Sequence, residues 1–323
     1  MQDAFDAYVT AVSFDAAGRA VFALGDGTVR MEGGEVVQAH DGAILAAALH
    51  PSGEGLVTGG DDGRLVWTRV SGAQEIASLP GKWIDAVASS AASGLIAFAA
   101  GREVHVRDVA DAAFSRTFFH EKSVADLAFE PRGRRIAAAT YGGVWLWYAR
   151  IEGQKPAKLT WAGSHVGIAW SPDGKFLISA MQENQLHGWR VADEKNMRMG
   201  GYPAKPKSLA FLNKGALMAT SGANGAVIWP FAGATGPMGK QAAEVGYDEA
   251  AMVVRIAAAP ALNWIAAGLD DGRVWACDLA GQKITPLNAE KGAPVTALAM
   301  TPDARRVAWG REDGAAGVAD LVS

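Results

Sequence analysis

Three residue types that support nucleophilic chemistry lie within one short stretch of this sequence. His40, Thr58 and Asp62 have the side chains of a base, a nucleophile and an orienting carboxylate, which are the three roles in a hydrolytic triad. The sequence has no Gly-x-Ser-x-Gly elbow, no phosphate-binding P-loop and no dinucleotide-binding glycine motif, the usual signatures of common enzyme classes. We therefore expect that the chain is not an enzyme.

Short apolar runs alternate with turn sequences around these residues. Runs 44–49 and 56–58 are separated by Pro51-Ser52-Gly53, and Asp61-Asp62-Gly63 follows the second run. Glycine adopts positive φ freely and aspartate bonds its own backbone, so both tripeptides are typical of turns. The apolar runs are too short for helices and suit buried strands. The stretch from His40 to Trp67 is predicted to be strand, turn, strand, turn, strand.

The same unit recurs along the chain at a nearly constant spacing. Phe129, Trp170 and Phe211 hold equivalent positions and lie 41 residues apart. Eight copies fit between Phe14 and Met300, with a mean period of about 41 residues, and periods of 20–50 residues indicate repeat architectures. The chain is therefore predicted to be an all-β repeat protein.

This pattern resembles the WD40 repeat, in which Gly-His, Pro-Asp-Gly, Ser-x-Asp-Gly and Trp-Asp punctuate successive strands. Pro172-Asp173-Gly174 is its clearest turn here. The resemblance implies that His40, Thr58, Asp62 and Trp67 form a buried structural tetrad. In that tetrad His40 bridges Asp62 and Thr58, and Thr58 or His40 reaches the indole of Trp67. The resemblance thus favours a structural role over a catalytic triad.

Eight copies predict one WD40-type β-propeller domain, residues 1–323, with eight four-stranded blades. Seven blades is the alternative, because seven is the commonest number among WD40 proteins. Blades stack around a central channel because one blade cannot cover its own apolar faces. The last copy has no outer strand after it, so residues 2–8 are expected to pair with it and close the ring.

Composition limits the partners and the compartment. The formal net charge is −4, without the basic patch of nucleic-acid-binding proteins. Cys277 is the one cysteine, so an intrachain disulfide is excluded. Residues 1–6 lack the features of a signal peptide, and Arg255 and Pro260 interrupt the longest apolar stretch. We expect a cytoplasmic monomer that binds neither nucleic acid nor membrane.

Loops predicted to share one face of the propeller carry unusually large side chains. Aromatic and methionine side chains beside polar groups are typical of protein-binding surfaces. Alternatively, Trp83 and Tyr141 simply close the mouth of the channel. The candidate partner-binding residues are Lys82, Trp83, Asp85, Tyr141, Met181, Gln182, Glu183, Tyr202 and Lys205.

A metal site is the competing hypothesis for the same loops. The chain has six histidines but no Cys-x-x-Cys and no helical His-x-x-x-His pair, the spacings typical of zinc sites. His120, His165 and Glu183 are the candidate ligands, because their loops are predicted to lie on one face. We expect no cofactor, with zinc as the alternative.

Several segments are similar to a group of stand-alone bacterial WD40 proteins: residues 81–87, 163–174, 180–190 and 197–203. That resemblance implies genes near CobW-type GTPases and zinc uptake, and hence a CobW-like GTPase as partner. The predicted function is a non-catalytic protein–protein interaction platform linked to zinc homeostasis. The alternative is a metal-binding or small-ligand-binding propeller with its site at the top of the channel.

Overall fold

The computed structural model describes residues 2–321 of the chain. Its regular elements are 30 β-strands and one short 3₁₀ turn at Asn213–Gly215. Within this part of the chain, no helix is long and apolar enough to cross a bilayer. The chain divides into two compact units, called here the middle unit (residues 15–170) and the terminal unit (residues 2–14 with 171–321).

Short strands separated by tight turns make up the middle unit. Gly63 in one of these turns has φ of 77°, and a Cβ there would lie 2.3 Å from the Leu79 carbonyl oxygen, so the turn requires glycine. The strands are β3 (Ala20–Leu24), β4 (Thr28–Met31), β5 (Val36–Gln38), β6 (Ile44–Leu49), β7 (Leu56–Gly60), β8 (Arg64–Arg69), β9 (Gly72–Ser78), β10 (Ala86–Ser90), β11 (Leu95–Ala100), β12 (Glu103–Asp108), β13 (Ser115–Phe119), β14 (Val124–Phe129), β15 (Arg135–Tyr148) and β16 (Ala157–Trp170).

The terminal unit combines the first two strands of the chain with the last fourteen. Its strands are β1 (Gln2–Ala4), β2 (Val9–Phe14), β17 (Phe176–Met181), β18 (Gln185–Arg190), β19 (Lys195–Met199), β20 (Leu209–Leu212), β21 (Leu217–Thr220), β22 (Ala226–Pro230), β23 (Ala243–Val245), β24 (Val253–Ala258), β25 (Trp264–Leu269), β26 (Val274–Asp278), β27 (Lys283–Asn288), β28 (Val295–Met300), β29 (Arg306–Arg311) and β30 (Ala315–Asp320). Sequential strands pair antiparallel through short turns, as the repeat predicts.

The number of sheets corresponds to the alternative count of seven. Within residues 2–321 there are six four-stranded sheets and one six-stranded sheet. The larger sheet arises because β15 and β16 each run for 14 residues. The first half of β16 pairs with β15, and its second half contains the first strand of the next sequence copy. Two of the eight copies therefore share one sheet, and residues 2–321 do not form eight separate four-stranded sheets.

The first strand of the chain completes the last sheet, as predicted. Strand β1 pairs antiparallel with β30, with Gln2 opposite Gly317 and Ala4 opposite Ala315. The next residue, Phe5, continues the pairing by donating its N–H to the Gly314 carbonyl at 3.0 Å. The edge of β30 is thereby paired, which protects it from pairing with other chains.

Apolar side chains fill the space between the sheets within each unit. All six residues of β11 are buried in the middle unit. In the terminal unit, Ile265 and Cys277 are fully buried, and burial raises the pKa of the Cys277 thiol, as expected for a core side chain. Each buried large apolar side chain contributes about 2 kcal/mol to stability. The loops are thus connected to strands that this buried core holds in place.

Candidate functional site

The imidazole of His40 links two segments of the middle unit. Its Nδ1 lies 3.0 Å from Asp62 Oδ1, and its Nε2 lies 2.8 Å from Thr58 Oγ1. The Thr58 hydroxyl lies 3.3 Å from the Val66 carbonyl oxygen, to which it donates. His40 and Thr58 are fully buried. The three side chains form the bridge that the resemblance implies.

Trp67 lies outside this bridge, which corrects the expected tetrad. Its Nε1 donates to the Glu54 carbonyl at 2.7 Å, and its ring stacks on His50 with centroids 3.9 Å apart. Thr58 is the Cα partner of Val66, and successive side chains of a strand point to opposite faces. Trp67 therefore projects from the other face of the sheet, away from Thr58.

The geometry of the bridge suits stabilisation of a loop. Burial alone would raise the pKa of Asp62, but hydrogen bonds from the Arg64 N–H and from His40 outweigh it and hold the pKa below its usual value. The carboxylate therefore stays ionised and fixes the imidazole. The Thr58 hydroxyl is enclosed on all sides, so a substrate has no access to it. Each of these hydrogen bonds contributes about 1 kcal/mol.

His120 uses both of its ring nitrogens within the protein. Nε2 accepts a hydrogen bond from Trp147 Nε1 at 3.0 Å, and Nδ1 lies 3.3 Å from the Arg102 carbonyl oxygen. This network assigns the neutral tautomer that carries its hydrogen on Nδ1. Burial lowers the pKa of His120 and further favours the neutral form. The one lone pair of the ring is thus committed to Trp147 and is not offered to a metal.

The other two candidate zinc ligands lie in different units. His165 is fully buried in the middle unit, and its Nε2 lies 3.1 Å from the Trp161 carbonyl oxygen, to which it donates. Glu183 is an exposed residue of the turn after β17 in the terminal unit. Across residues 2–321, no group of three or more His, Cys, Asp or Glu side chains is placed to hold a metal ion. The zinc hypothesis therefore has no assembled ligand set in this part of the chain.

An exposed tryptophan projects from the loop that follows β9. Trp83 is 65% exposed, whereas its neighbour Ile84 is fully buried and donates its N–H to the Gly60 carbonyl at 3.1 Å. On the other side, Lys82 Nζ donates to Glu103 Oε1 at 2.7 Å, which lowers the pKa of Glu103. The residues before and after Trp83 are therefore both fixed to neighbouring strands, while the indole itself is exposed to solvent.

A second exposed aromatic side chain, Phe119, lies beside this loop and was not among the predicted residues. It is 70% exposed and is the Cα partner of Glu103, so both side chains leave the same face of the sheet. The signal in the sequence was the pair Phe118-Phe119, since alternation along a strand turns one of two adjacent residues outward. We call Lys82, Trp83, Glu103 and Phe119 the aromatic surface.

Tyr141 is also exposed, at the bend within β15. Its exposed fraction is 62%. The bend depends on Gly143, whose φ is 143° and where a Cβ would lie 2.3 Å from the Leu159 carbonyl oxygen. Asp85 is exposed as well. The four predicted partner-binding residues of the middle unit therefore all reach solvent: Lys82, Trp83, Asp85 and Tyr141.

In the terminal unit, two predicted partner-binding residues are buried, which corrects their placement at loop tips. Met181 is fully buried because it ends β17, a strand with every residue buried. Tyr202 is 8% exposed. Lys205 Nζ donates to Gln182 Oε1 at 2.9 Å. Gln182, Glu183 and Lys205 reach solvent and stay candidates.

Tyr202 has the same kind of role that His40 has in the middle unit. Its hydroxyl lies 2.6 Å from Thr220 Oγ1 and accepts a hydrogen bond from Trp229 Nε1 at 2.7 Å. Burial raises the pKa of Tyr202 to about 12, so the phenol stays neutral. This role was not predicted, because Tyr202 stands where the WD40 pattern has a histidine.

The fold and the structural bridges define the class of protein as an all-β, single β-propeller. The computationally designed Ika8 protein has a TM-score of 0.78 to this chain, with 18% identity over 99% of this chain and 98% of that one. A chain of the Mitotic Checkpoint Complex has a TM-score of 0.67, with 17% identity over 99% and 91%. The β-propeller domain of Cps50 (Swd1) from Myceliophteria thermophila has a TM-score of 0.67, with 14% identity over 86% and 97%.

Within this class, one segment carries a family signature. Residues 34–67 match the family described as WD domain, G-beta repeat. The matched segment contains the bridge of His40, Thr58 and Asp62. No curated protein matches the sequence. The chain is therefore a β-propeller with a recognisable WD repeat.

Proposed function

We propose that this chain is a non-catalytic protein–protein interaction platform that docks a partner on the aromatic surface of the middle unit. The observation that carries the proposal is the exposure of Trp83 and Phe119, 65% and 70%. Trp83 follows Lys82 in the chain, Phe119 is the cross-strand partner of Glu103, and an ion pair joins Lys82 to Glu103. Aromatic side chains bring a large apolar area with few rotatable bonds, and such residues dominate binding energy once they are covered.

The rigidity of this surface supports the same function. Ile84 anchors the loop to Gly60, Lys82 anchors it to Glu103, and Phe119 lies on a strand. A surface that is ordered before binding loses little conformational entropy when the partner arrives. The charges of Lys82 and Glu103 lie beside the apolar rings, where complementary charges would orient a partner.

The comparisons agree with an interaction role. The WD repeat at residues 34–67 and the fold support a WD40-type propeller, and one similar chain is part of an assembly, the Mitotic Checkpoint Complex. The identity of 17% to that chain carries the fold alone. A fold does not define a function, so the aromatic surface is the main support. The resemblance to stand-alone bacterial WD40 proteins makes a CobW-like GTPase the first partner to test, and such a partner would link the chain to zinc homeostasis.

The proposal is tested by affinity capture with a purified CobW-like GTPase and with an extract of the native cell. The double variant Trp83→Ala/Phe119→Ser should reduce the captured partner at least tenfold, because each covered aromatic anchor contributes about 2 kcal/mol or more. Tyr247→Ala is the matched control, since Tyr247 is equally exposed at 65% but lies in the terminal unit. It should leave capture unchanged.

Quantitative mass spectrometry of the captured proteins reads out the result. Thermal unfolding of each variant first establishes that the fold is intact. Equal capture by wild type and by the folded double variant would overturn the proposal, as would an equal loss with Tyr247→Ala.

A further inference from the structure

Arg255 holds an unneutralised positive charge in the terminal unit. It lies on β24, where its Nε donates to the Thr296 carbonyl at 2.6 Å and its Nη1 donates to the Val254 carbonyl at 3.0 Å. Within residues 2–321, Nη2 has no hydrogen-bond partner and no carboxylate lies within ion-pair distance of the guanidinium. The Arg255 side chain is therefore held in place through Nε and Nη1, and the N–H groups of Nη2 are available to a ligand.

Lys207 lies in the loop before β20, next to this arginine. The two segments are joined directly, because Ser208 Oγ accepts a hydrogen bond from the Ile256 N–H at 2.7 Å. Lys207 itself is anchored through its backbone N–H, which donates to Ser221 Oγ at 2.9 Å. Lys207 thus belongs to a fixed loop that is hydrogen-bonded to the strand of Arg255.

The charged groups near Lys207 and Arg255 do not neutralise the positive charge of these two residues. Burial lowers the pKa of Lys207, the positive charges of Arg255 and Lys205 lower it further, and Glu312 opposes them. Burial also lowers the pKa of Arg255, and the phenol of Tyr8 opposes this effect. Three cations, Lys207, Arg255 and Lys205, therefore lie near one carboxylate, that of Glu312.

Lys205 is the least available of the three cations. Its Nζ already donates to Gln182 Oε1 at 2.9 Å, whereas the described residues offer no ion-pair partner to Lys207. The free donors are thus Nη2 of Arg255 and the ammonium group of Lys207. Guanidinium and ammonium groups form their strongest hydrogen bonds with carboxylate and phosphate oxygens.

We propose that Arg255 and Lys207 form a binding site for an oxoanion, either a phosphate or a carboxylate group. Arg255 supplies a directed N–H donor from a fixed guanidinium, and Lys207 supplies a mobile point charge. The bound anion neutralises two neighbouring positive charges that repel each other in the free protein. This site lies in the terminal unit and is independent of the aromatic surface.

Isothermal titration calorimetry with inorganic phosphate and with succinate at low salt tests the site. One of these anions should bind saturably, and Lys207→Met should weaken its binding at least tenfold. The matched control is Lys195→Met, because Lys195 is an exposed lysine on β19 of the same unit. That variant should bind like the wild type. Tighter binding of phosphate than of succinate assigns a phosphate ligand, and the reverse assigns a carboxylate.

A gain of affinity separates a binding role from a structural one. Glu312→Gln removes the carboxylate that opposes Lys207 and should tighten anion binding severalfold, which loss of structure would not do. Arg255→Met should abolish binding if the variant folds, and Lys207→Met carries the test if it does not. The proposal is overturned if neither anion binds saturably, or if Lys207→Met and wild type bind equally.

Discussion

Asp126 in the middle unit and Arg255 in the terminal unit occupy the same structural position with opposite charges. Each residue follows a register shift between the first and second strands of a copy, at Val124/Asp126 and at Val253/Arg255. Such bulges re-aim the side chain that follows them. Asp126 accepts the N–H of Ile168 at 2.8 Å, and Arg255 donates to the carbonyl of the next first strand. The same kind of β-bulge therefore positions a hydrogen-bond acceptor in one unit and a hydrogen-bond donor in the other.

Asp126 and Arg255 differ in whether all their polar side-chain atoms have hydrogen-bond partners. The carboxylate of Asp126 also accepts the Leu127 N–H at 2.8 Å, so each of its oxygens has a backbone donor. Burial raises the pKa of this carboxyl to about 6. Arg255 has an unused donor within the described residues. At these bulges the carboxylate of Asp126 uses both oxygens within the protein, whereas the guanidinium of Arg255 uses Nε and Nη1 and keeps Nη2 available.

Charge reversal at the two bulges should have the largest effect. Asp126→Lys would point an ammonium at two N–H groups, and Arg255→Glu would point a carboxylate at carbonyl oxygens. We expect each variant to lose about 3–5 kcal/mol of unfolding free energy, the range for a buried charge without a partner. Urea unfolding measures this loss.

Serine substitutions at two other bulges of the same kind provide the control for the charge reversals. Ala46 and Ala297 follow the corresponding register shifts in other copies. Ala46→Ser and Ala297→Ser should change stability by less than about 1 kcal/mol. Losses below 1 kcal/mol for both charge reversals would show that the bulge charges are not part of the packing between strands.

The pKa of Asp126 predicts an effect of intermediate size. Because this pKa is near 3.9 in the unfolded chain and about 6 in the folded protein, the folded state binds more protons between these values. The contribution of Asp126 to stability therefore falls as pH rises from 4 to 6, by up to about 3 kcal/mol. Asp126→Asn should gain stability relative to wild type over this range in urea unfolding.

Asp173 provides a control with the opposite sign. Burial alone would raise its pKa, but hydrogen bonds from Ser171 and Lys175 bring the net value below the ordinary one. Asp173→Asn should therefore lose stability relative to wild type as the pH rises. Parallel pH profiles for wild type and Asp126→Asn would disprove the assignment of the raised pKa.

The smallest effect concerns the buried hydroxyl bridges, which are formed around His40 in the middle unit and around Tyr202 in the terminal unit. Tyr202→Phe leaves the Trp229 N–H and the Thr220 hydroxyl without this partner, and Thr58→Val does the same to His40. We expect each to lose about 1–3 kcal/mol in urea unfolding, the penalty for an unsatisfied buried polar group. Tyr247→Phe is the control, because Tyr247 is exposed. A loss in only one of the two units would mean that the bridges are not equivalent.

The strands and turns were predictable because they depend on local sequence. Apolar runs between turn tripeptides placed β6, β7 and β8 correctly, and His40 could be matched to Asp62 and Thr58 through the WD40 pattern. The pairing of residues 2–4 with β30 followed from an unpaired last copy. These features need only the repeat period and the preference of each residue for strand or turn.

The direction of individual side chains was less predictable, because it depends on register. Trp67 is displaced by one position relative to the residue opposite Thr58, and this shift turns it to the other face. The bulges before Asp126 and Arg255 leave no mark in the hydrophobic pattern. The role of Tyr202 required knowing that Thr220 and Trp229 lie beside it in space, which their sequence positions do not reveal.

The pairing of β1 with β30 sets an order of events in time. The partners Gln2 and Gly317 are more than 300 positions apart, and a ribosome adds about 5–20 residues per second. The first strand thus waits roughly 15–60 s for its neighbour to be made. Pairings between such distant segments form late and slowly. The last sheet is therefore completed only after β30 has been made, by a strand that left the ribosome more than 300 residues earlier.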